Sequence, residues 1–423
     1  MIRTGNVEDM AGQGGIADPR LGGHFRVNAG GALLVGGRTA DELVSLAGGT
    51  PLFVYDRAVI DAKIAALRAA MPGSVELHYA VKANPYAPLL AHVARQVDGL
   101  DVASGGELGE ALASGMDALR ISFAGPGKRD EELEAAIRAG VTLNIESEGE
   151  LERAASIARQ IGRTLAAAVR VNPPFDLKGS GMRMGGGAKP FGVDADRVPA
   201  LARDIIAQGA DWRGLHIFTG SQALDAGAII EAQANVLSLA SEIASRIGTS
   251  LPKLNMGGGF GIPYFHGDEP LDVERIGAAL SSRMAALPDN LVEAEFCVEL
   301  GRYLVGEAGI YVTRIVDRKI SHGETYLVTD GGLHHQLAAS GNFGTVVRRN
   351  YPLAVVKAFG GEPAEIANVV GCLCTPLDRL ADKAHLPRAD VSDLVAVFCA
   401  GAYGASASPS AFLGQGPAAE VLV

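Results

Sequence analysis

Lys82 lies in His78-Tyr79-Ala80-Val81-Lys82-Ala83-Asn84-Pro85-Tyr86, at the end of a run that alternates like a strand. Val75, Leu77, Tyr79 and Val81 alternate with Glu76, His78 and Ala80, and Asn84-Pro85 breaks the run. A lysine at a strand tip is either an ordinary solvated charge or an amine held near apolar walls. In the second case a depressed pKa lets it form a Schiff base. Two glycine turns follow, Thr219-Gly220-Ser221-Gln222 and Gly257-Gly258-Gly259-Phe260-Gly261. Glycines bare backbone N–H groups and Ser221 adds a hydroxyl, a set that suits a phosphate; a tight structural turn is an equal alternative. No Lys-Ser/Thr follows, so this is not a P-loop. In Glu299-Leu300-Gly301-Arg302 a carboxylate can pair with a protonated ring nitrogen and an arginine fork can clamp a phosphate, against the alternative of a surface salt bridge. Gly371-Cys372-Leu373-Cys374-Thr375-Pro376-Leu377-Asp378 and Gly401-Ala402-Tyr403-Gly404 add a thiol and a phenol. A free cysteine can equally be a small hydrophobe.

These residues need a scaffold that gathers strand ends. Strand-like runs at 75–81, 99–103, 119–123, 141–145, 165–171, 213–218, 252–256 and 295–299 alternate with amphipathic helical stretches such as RAVIDAKIAALRAAM and KRDEELEAAIRAG. Eight βα units predict a closed (β/α)8 TIM-like barrel, with functional groups at the C-terminal ends of its strands. An open doubly wound sheet is the alternative. After residue 305, segments such as GIYVTRIVDRK and DLVAVFCAGAYG turn β-branched and Gly-punctuated. They predict a C-terminal β-rich domain, sandwich-like or barrel-like. The expected organisation is a flexible Gly-rich leader over 1–24 and a segment over 25–50 joining the β domain. The barrel is expected over 51–300 and the β domain over 301–423.

Composition narrows the function classes. The 423 residues are 48% hydrophobic and 20% charged, with a formal net charge of −11. An acidic surface argues against nucleic acid and anionic membranes as partners. No apolar run approaches a membrane span, and the N-terminus has no apolar signal core. Four cysteines (Cys297, Cys372, Cys374, Cys399) are too few to staple such a chain and form no CxxC pair. Free thiols, a cytoplasmic location and no metal site are expected.

The ordered succession of lysine, Gly-Ser, triple glycine, Glu-x-Gly-Arg, Cys-x-x-x-Asp and Gly-Ala-Tyr resembles the pyridoxal-phosphate decarboxylases with an alanine-racemase-like barrel, over residues 45–415. The group holds diaminopimelate, ornithine and arginine decarboxylases. The resemblance implies pyridoxal 5'-phosphate as cofactor and a decarboxylated amino acid as substrate. It makes Lys82 the Schiff-base lysine and Glu299 the partner of the pyridine nitrogen. It gives the phosphate grip to Gly258, Gly259, Ser221, Arg302 and Tyr403, counts Gly257 and Gly301 among the cofactor-binding residues, and places Asp101, Glu107 and Arg170 along the cofactor. Cys374 would reprotonate the α-carbon from the partner subunit, which implies a homodimer with shared active sites. Intact Lys82, Glu299, Arg302, Cys374 and Tyr403 argue against a non-catalytic binding protein, and Cys374 against a racemase.

The chain departs from the family pattern at three places. Phe218 stands where the family has a histidine stacked on the cofactor ring; phenylalanine can stack but cannot hydrogen-bond. His216, two residues earlier on the same face, is a candidate catalytic replacement or a satisfied core histidine. Leu300 replaces a proline, which alters stiffness more than chemistry. Thr375 replaces the carboxylate that meets the distal amine of a dibasic substrate, so a distal ammonium should bind poorly unless Asp378 compensates. GSGMRMGGGAKPFG, VTDGGLHHQLAASGNFG and GAYGASASPSAFLG resemble a subgroup with the butirosin-pathway decarboxylase of carrier-bound glutamyl groups and exosortase-associated decarboxylases. That implies a tethered or modified amino acid, for example one bound to a carrier protein; a free basic amino acid is the alternative. His334 and His335 are candidates for the substrate channel, or else solvated or a weak surface metal site. Arg348-Arg349 is the one basic pair in view for an acidic carrier.

Overall fold

The computed structural model describes residues 23–341 and 349–423. Arg348, part of GNFG and all but the last two residues of the expected leader lie outside the described residues.

Eight parallel strands are hydrogen-bonded in a ring. In chain order they are Val75–Ala80, Gly99–Val102, Ile121–Phe123, Thr142–Ile145, Ala166–Asn172, Asp211–Ile217, Lys253–Asn255 and Glu295–Leu300. Each overlaps one of the runs read from sequence. Glu299 pairs with His78 and Leu143 with Ala167, so the sheet closes and the open-sheet alternative falls. All seven residues of Ala166–Asn172 are buried, because outward side chains meet helices while inward ones fill the barrel. Ser104 and Ser147 start the helices Gly105–Ala113 and Glu148–Ile161; each hydroxyl accepts the amide three residues on. Those caps come two residues after their strands end, which keeps the βα loops short and the strand tips on one rim. Ile64–Ile262 and Leu271–Tyr303 form this compact unit.

A second unit takes the described residues up to Lys63, with Pro263–Pro270 and Leu304–Val423. Its strands run in the spatial order Leu353–Val355, Leu394–Val397, Gly309–Ser321, Glu324–Thr329, Glu365–Val370 and Arg379–Leu386. Leu52–Tyr55 lies in the span expected for the barrel, yet it pairs with Gly309–Ser321 and Ala419–Leu422 in this sheet. All four of its side chains are buried, which suits a strand covered on both faces. Phe25, Leu33, Val35 and Leu43 share one core with Leu52, Ile310, Leu394 and Phe398, so the segment after residue 24 packs here. Among the described residues no helix is long and apolar enough to cross a membrane.

Candidate active site

The strand Val75–Ala80 stops two residues before Lys82, and the chain makes one 3-10 turn, Val81–Ala83. Lys82 emerges exposed from this turn, not enclosed by apolar walls. Its Nζ lies 5.6 Å from the ring centroid of Phe218, the residue after Asp211–Ile217. That distance is within cation–π reach.

Glu299 is buried at the tip of Glu295–Leu300. His216 Nε2 is 3.0 Å from Glu299 Oε2, and Asn255 Nδ2 donates to the same oxygen at 3.1 Å. Asn255 Oδ1 accepts the Gly257 amide at 2.8 Å, and the Glu299 amide donates to Gly257 O at 2.9 Å. One network therefore fixes both the carboxylate and the glycine turn. Burial pushes the Glu299 carboxyl up, but His216, Lys82 and Arg170 outweigh it and hold it at about 2. Glu299 is an anion throughout the physiological range. At Gly258 a Cβ would lie 1.9 Å from Glu299 O, so the turn has no room for a side chain. Close packing therefore requires glycine at this turn, which is the structural reading of the triple glycine.

Ser221 is half-buried in the short strand Gly220–Ser221, paired with Met182–Arg183. Gly301 and Arg302 follow the Glu299 strand directly. Arg170 is buried with Nη1 3.0 Å from Glu146 Oε1; Glu146 also accepts the amides of Gly125 at 2.5 Å and Gly192 at 3.0 Å. Glu107 Oε2 accepts the Ala103 amide at 2.8 Å. Burial raises the Glu107 pKa, against the pull of that amide and of Lys82. Asp101 points into the barrel, where it accepts from Ser122 Oγ and faces His78 Nδ1 at 3.3 Å.

The family model for the pyridoxal-dependent decarboxylase, pyridoxal binding domain, matches residues 57–306. The chain belongs to the pyridoxal-dependent decarboxylases. It is 35% identical to the L-glutamyl-[BtrI acyl-carrier protein] decarboxylase of Niallia circulans, over 88% of each protein. It is 33% identical to the diaminopimelate decarboxylase of Archaeoglobus fulgidus, over 93% of this chain and 92% of that protein. The crystal structure of AQ1208 from Aquifex aeolicus superposes with a TM-score of 0.81 at 29% identity, covering 96% of this chain and 93% of the other.

The barrel's donor set suits pyridoxal phosphate. An amine, an anionic carboxylate on the barrel's inner wall, an aromatic face beside the amine and a turn of bare backbone amides are the groups its aldehyde, ring nitrogen, ring face and phosphate call for. The protein is a pyridoxal-phosphate-dependent carboxy-lyase of amino-acid substrates.

The remaining sequence candidates lie in the β unit. Cys374 is exposed in the loop between Glu365–Val370 and Arg379–Leu386, with Thr375 half-buried beside it. Asp378 is 3% exposed; Oδ1 accepts the Leu333 amide at 2.7 Å and Oδ2 the Leu373 amide at 2.8 Å. A Cβ on Gly332 or Gly371 would overlap this carboxylate, 2.1 and 2.3 Å away. Asp378 therefore ties two loops together, and neither oxygen is open for a substrate ammonium in the way its sequence position suggested. His334 and His335 are 0% and 5% exposed, which overturns a solvated or surface-metal role. His335 uses both ring nitrogens, with Tyr311 OH at 3.1 Å and Gly416 O at 2.9 Å, and burial brings its pKa down to about 4. Tyr403 adopts a left-handed backbone conformation, φ 57°. Among the described residues no cluster of three or more His, Cys, Asp or Glu could hold a metal ion.

Sequence reading missed Asn255, Glu146 and His78. Asn255 had a signal: a polar side chain inside a strand just before the triple glycine. Glu146 had none, because its partners are Arg170 of the strand Ala166–Asn172 and two loop amides, Gly125 and Gly192, all distant in the chain. His78 faces Glu76 Oε2 and Asp101 Oδ2, both at 3.3 Å, and Lys253 completes the cluster at 2.5 Å from Glu76 Oε2. Burial lowers the His78 pKa, but the two carboxylates outweigh it and raise it to about 9.

Proposed function

We propose that this enzyme removes the α-carboxylate of an amino-acyl group whose distal end is tethered or modified and carries no free ammonium. The observation that supports this is the loop around Cys374. Thr375 occupies the place of a carboxylate, and Asp378, the only acid between Gly371 and Arg379, is buried on backbone amides. An ammonium directed at this loop would lose its hydration without gaining a counter-charge. The likeness to a decarboxylase of carrier-bound glutamyl groups agrees. The likeness to diaminopimelate decarboxylases favours a second reading, a free basic amino acid.

In this reading Lys82 would hold the cofactor through its amine. Ser221, Gly258, Gly259 and Arg302 hold the phosphate with backbone and side-chain donors, while the Gly257 amide is spent on Asn255. Glu299 keeps a proton on the ring nitrogen, and Phe218 covers one ring face. Asp101, Glu107 and Arg170 line the cofactor cleft. The bound pyridoxal phosphate supplies a ring that accepts the electron pair left as carbon dioxide departs. Cys374, supplied by a second copy of the chain in a cytoplasmic homodimer, returns a proton to the α-carbon. His216 acts through Glu299 and touches no reacting atom.

Carbon dioxide release with added cofactor tests the substrate. The panel holds diaminopimelate, ornithine, lysine, arginine and a glutamyl-loaded carrier protein. Turnover of the tethered substrate alone is expected; fast turnover of any free diamine would sink the reading.

A further inference from the structure

One face of the second sheet forms an open groove of about 430 Å³. Its walls are Lys319 and Ser321 from Gly309–Ser321, Tyr326 and Val328 from Glu324–Thr329, Val370, and Arg379. Strand pairing explains the juxtaposition: Lys319 lies opposite Tyr326, Val328 beside Val370, and Val370 opposite Arg379. Leu327, of opposite parity to Tyr326 and Val328, is buried in the core. The groove then runs into Cys372, Leu373, Thr375 and Pro376, the residues that flank Cys374.

The groove's charge is opposite to that of the chain. The protein carries a formal net charge of −11, yet two cations line the groove. The single carboxylate among the lining residues, Asp378, is taken up by backbone amides. Arg379 is held by Asp382, whereas Lys319 is exposed and has no ion-pair partner among the described residues. Between Lys319 and the cysteine loop, Val328, Val370 and Leu373 contribute apolar side chains beside Arg379. A cation at one end, apolar side chains between and a thiol-bearing loop at the other suit an extended chain with one anionic terminus.

We propose that this groove binds the phosphodiester-linked thioester arm of an acyl carrier protein, with the phosphate at Lys319 and the acyl end at the Cys374 loop. The assignment rests on the tethered-substrate reading above. It gives that reading a cationic contact, where the sequence offered only the weak candidate pair Arg348-Arg349. A phosphate is recognised by the ammonium as a point charge, and the neutral arm lies on the apolar side chains.

The test uses the holoenzyme and its Lys319→Glu variant, with pantetheine 4'-phosphate, pantetheine and inorganic phosphate as calorimetric probes. Pantetheine 4'-phosphate should bind about 10-fold or more tighter than either fragment, and Lys319→Glu should erase that preference. With an amino-acyl carrier protein, Lys319→Glu should raise KM about 10-fold and leave kcat unchanged, while KM for the same acyl group on N-acetylcysteamine stays constant. Inorganic phosphate binding as tightly as the full arm would reduce this to a plain anion site and overturn the proposal. So would an unchanged preference in Lys319→Glu. Turnover of free diamines alone would overturn the substrate reading and the carrier-arm assignment with it, whereas tethered turnover without any phosphate preference in the wild type would overturn the groove assignment alone.

Discussion

Glu299 shows how a buried carboxylate stays charged. Burial opposes ionisation, and His216, Lys82 and Arg170 reverse that effect. Its anionic form is what the proposed role of holding a proton on a ring nitrogen requires. Glu299→Gln should keep the shape and hydrogen-bond count while removing the charge. We expect a loss in kcat of about 10²-fold or more with bound cofactor still visible by absorbance. An unchanged kcat would remove Glu299 from the chemistry. His78 carries the opposite shift. Its pKa rises from 6.5 to about 9 between two carboxylates, so its contribution to stability is full below pH 6.5 and lost as pH rises through 9. The contribution is at most roughly 3 kcal/mol. Urea unfolding of wild type and His78→Asn at pH 6.5 and 9 measures it; the wild type should lose more stability than the variant, and parallel slopes would contradict the assignment.

The proposed site depends on elements whose backbones approach closely. The triple-glycine turn presses on the Glu299 strand so tightly that Gly258→Ala would place a methyl against Glu299 O. One of the two must move, and a shift of the turn carries the amide donors with it. Overpacking of this kind costs roughly 1–3 kcal/mol. Cofactor affinity, read by absorbance titration, should fall at least about 10-fold by the same displacement; retained affinity would show that the turn does not grip phosphate. The loop around Cys374 is built by a different device, a buried carboxylate that gathers the amides of Leu333 and Leu373. Such a bond to a charged acceptor contributes about 1.5–3 kcal/mol. Asp378 is thereby an organiser of the cysteine loop.

At the scale of the whole molecule, a dimer with shared sites makes a quantitative prediction. Lys82→Ala should abolish turnover, while Cys374→Ala should bind cofactor normally and slow product formation. If Cys374 serves the barrel of a second copy, mixing the two variants creates heterodimers with one intact site. Random reassortment would then restore about a quarter of wild-type activity. No recovery after subunit exchange, verified by tagged co-purification, would mean that each chain supplies its own Cys374. The recovery is independent of substrate identity, so it can be measured with whichever substrate proves active.

Much of this protein was legible in its sequence. The barrel could be read because the βα units repeat the same local signals, apolar strand runs alternating with amphipathic helices. Lys82, Glu299, Gly258 and Arg302 stand out by their place at strand tips and glycine turns, and only the ordered resemblance to the family gives them roles. What the tertiary structure decided are relations between residues far apart in the chain. His216 and Asn255 converge on Glu299 from neighbouring strands. Glu146 draws in Arg170 and two loop amides, Asp378 is consumed by backbone donors, and Leu52–Tyr55 leaves the barrel span for the second sheet. None of these has a periodic signature, because burial and hydrogen bonding across strands depend on which elements become neighbours. The sequence by itself determined which groups are present and which rim they occupy; only the fold decided which carboxylates are free to act and which are already taken.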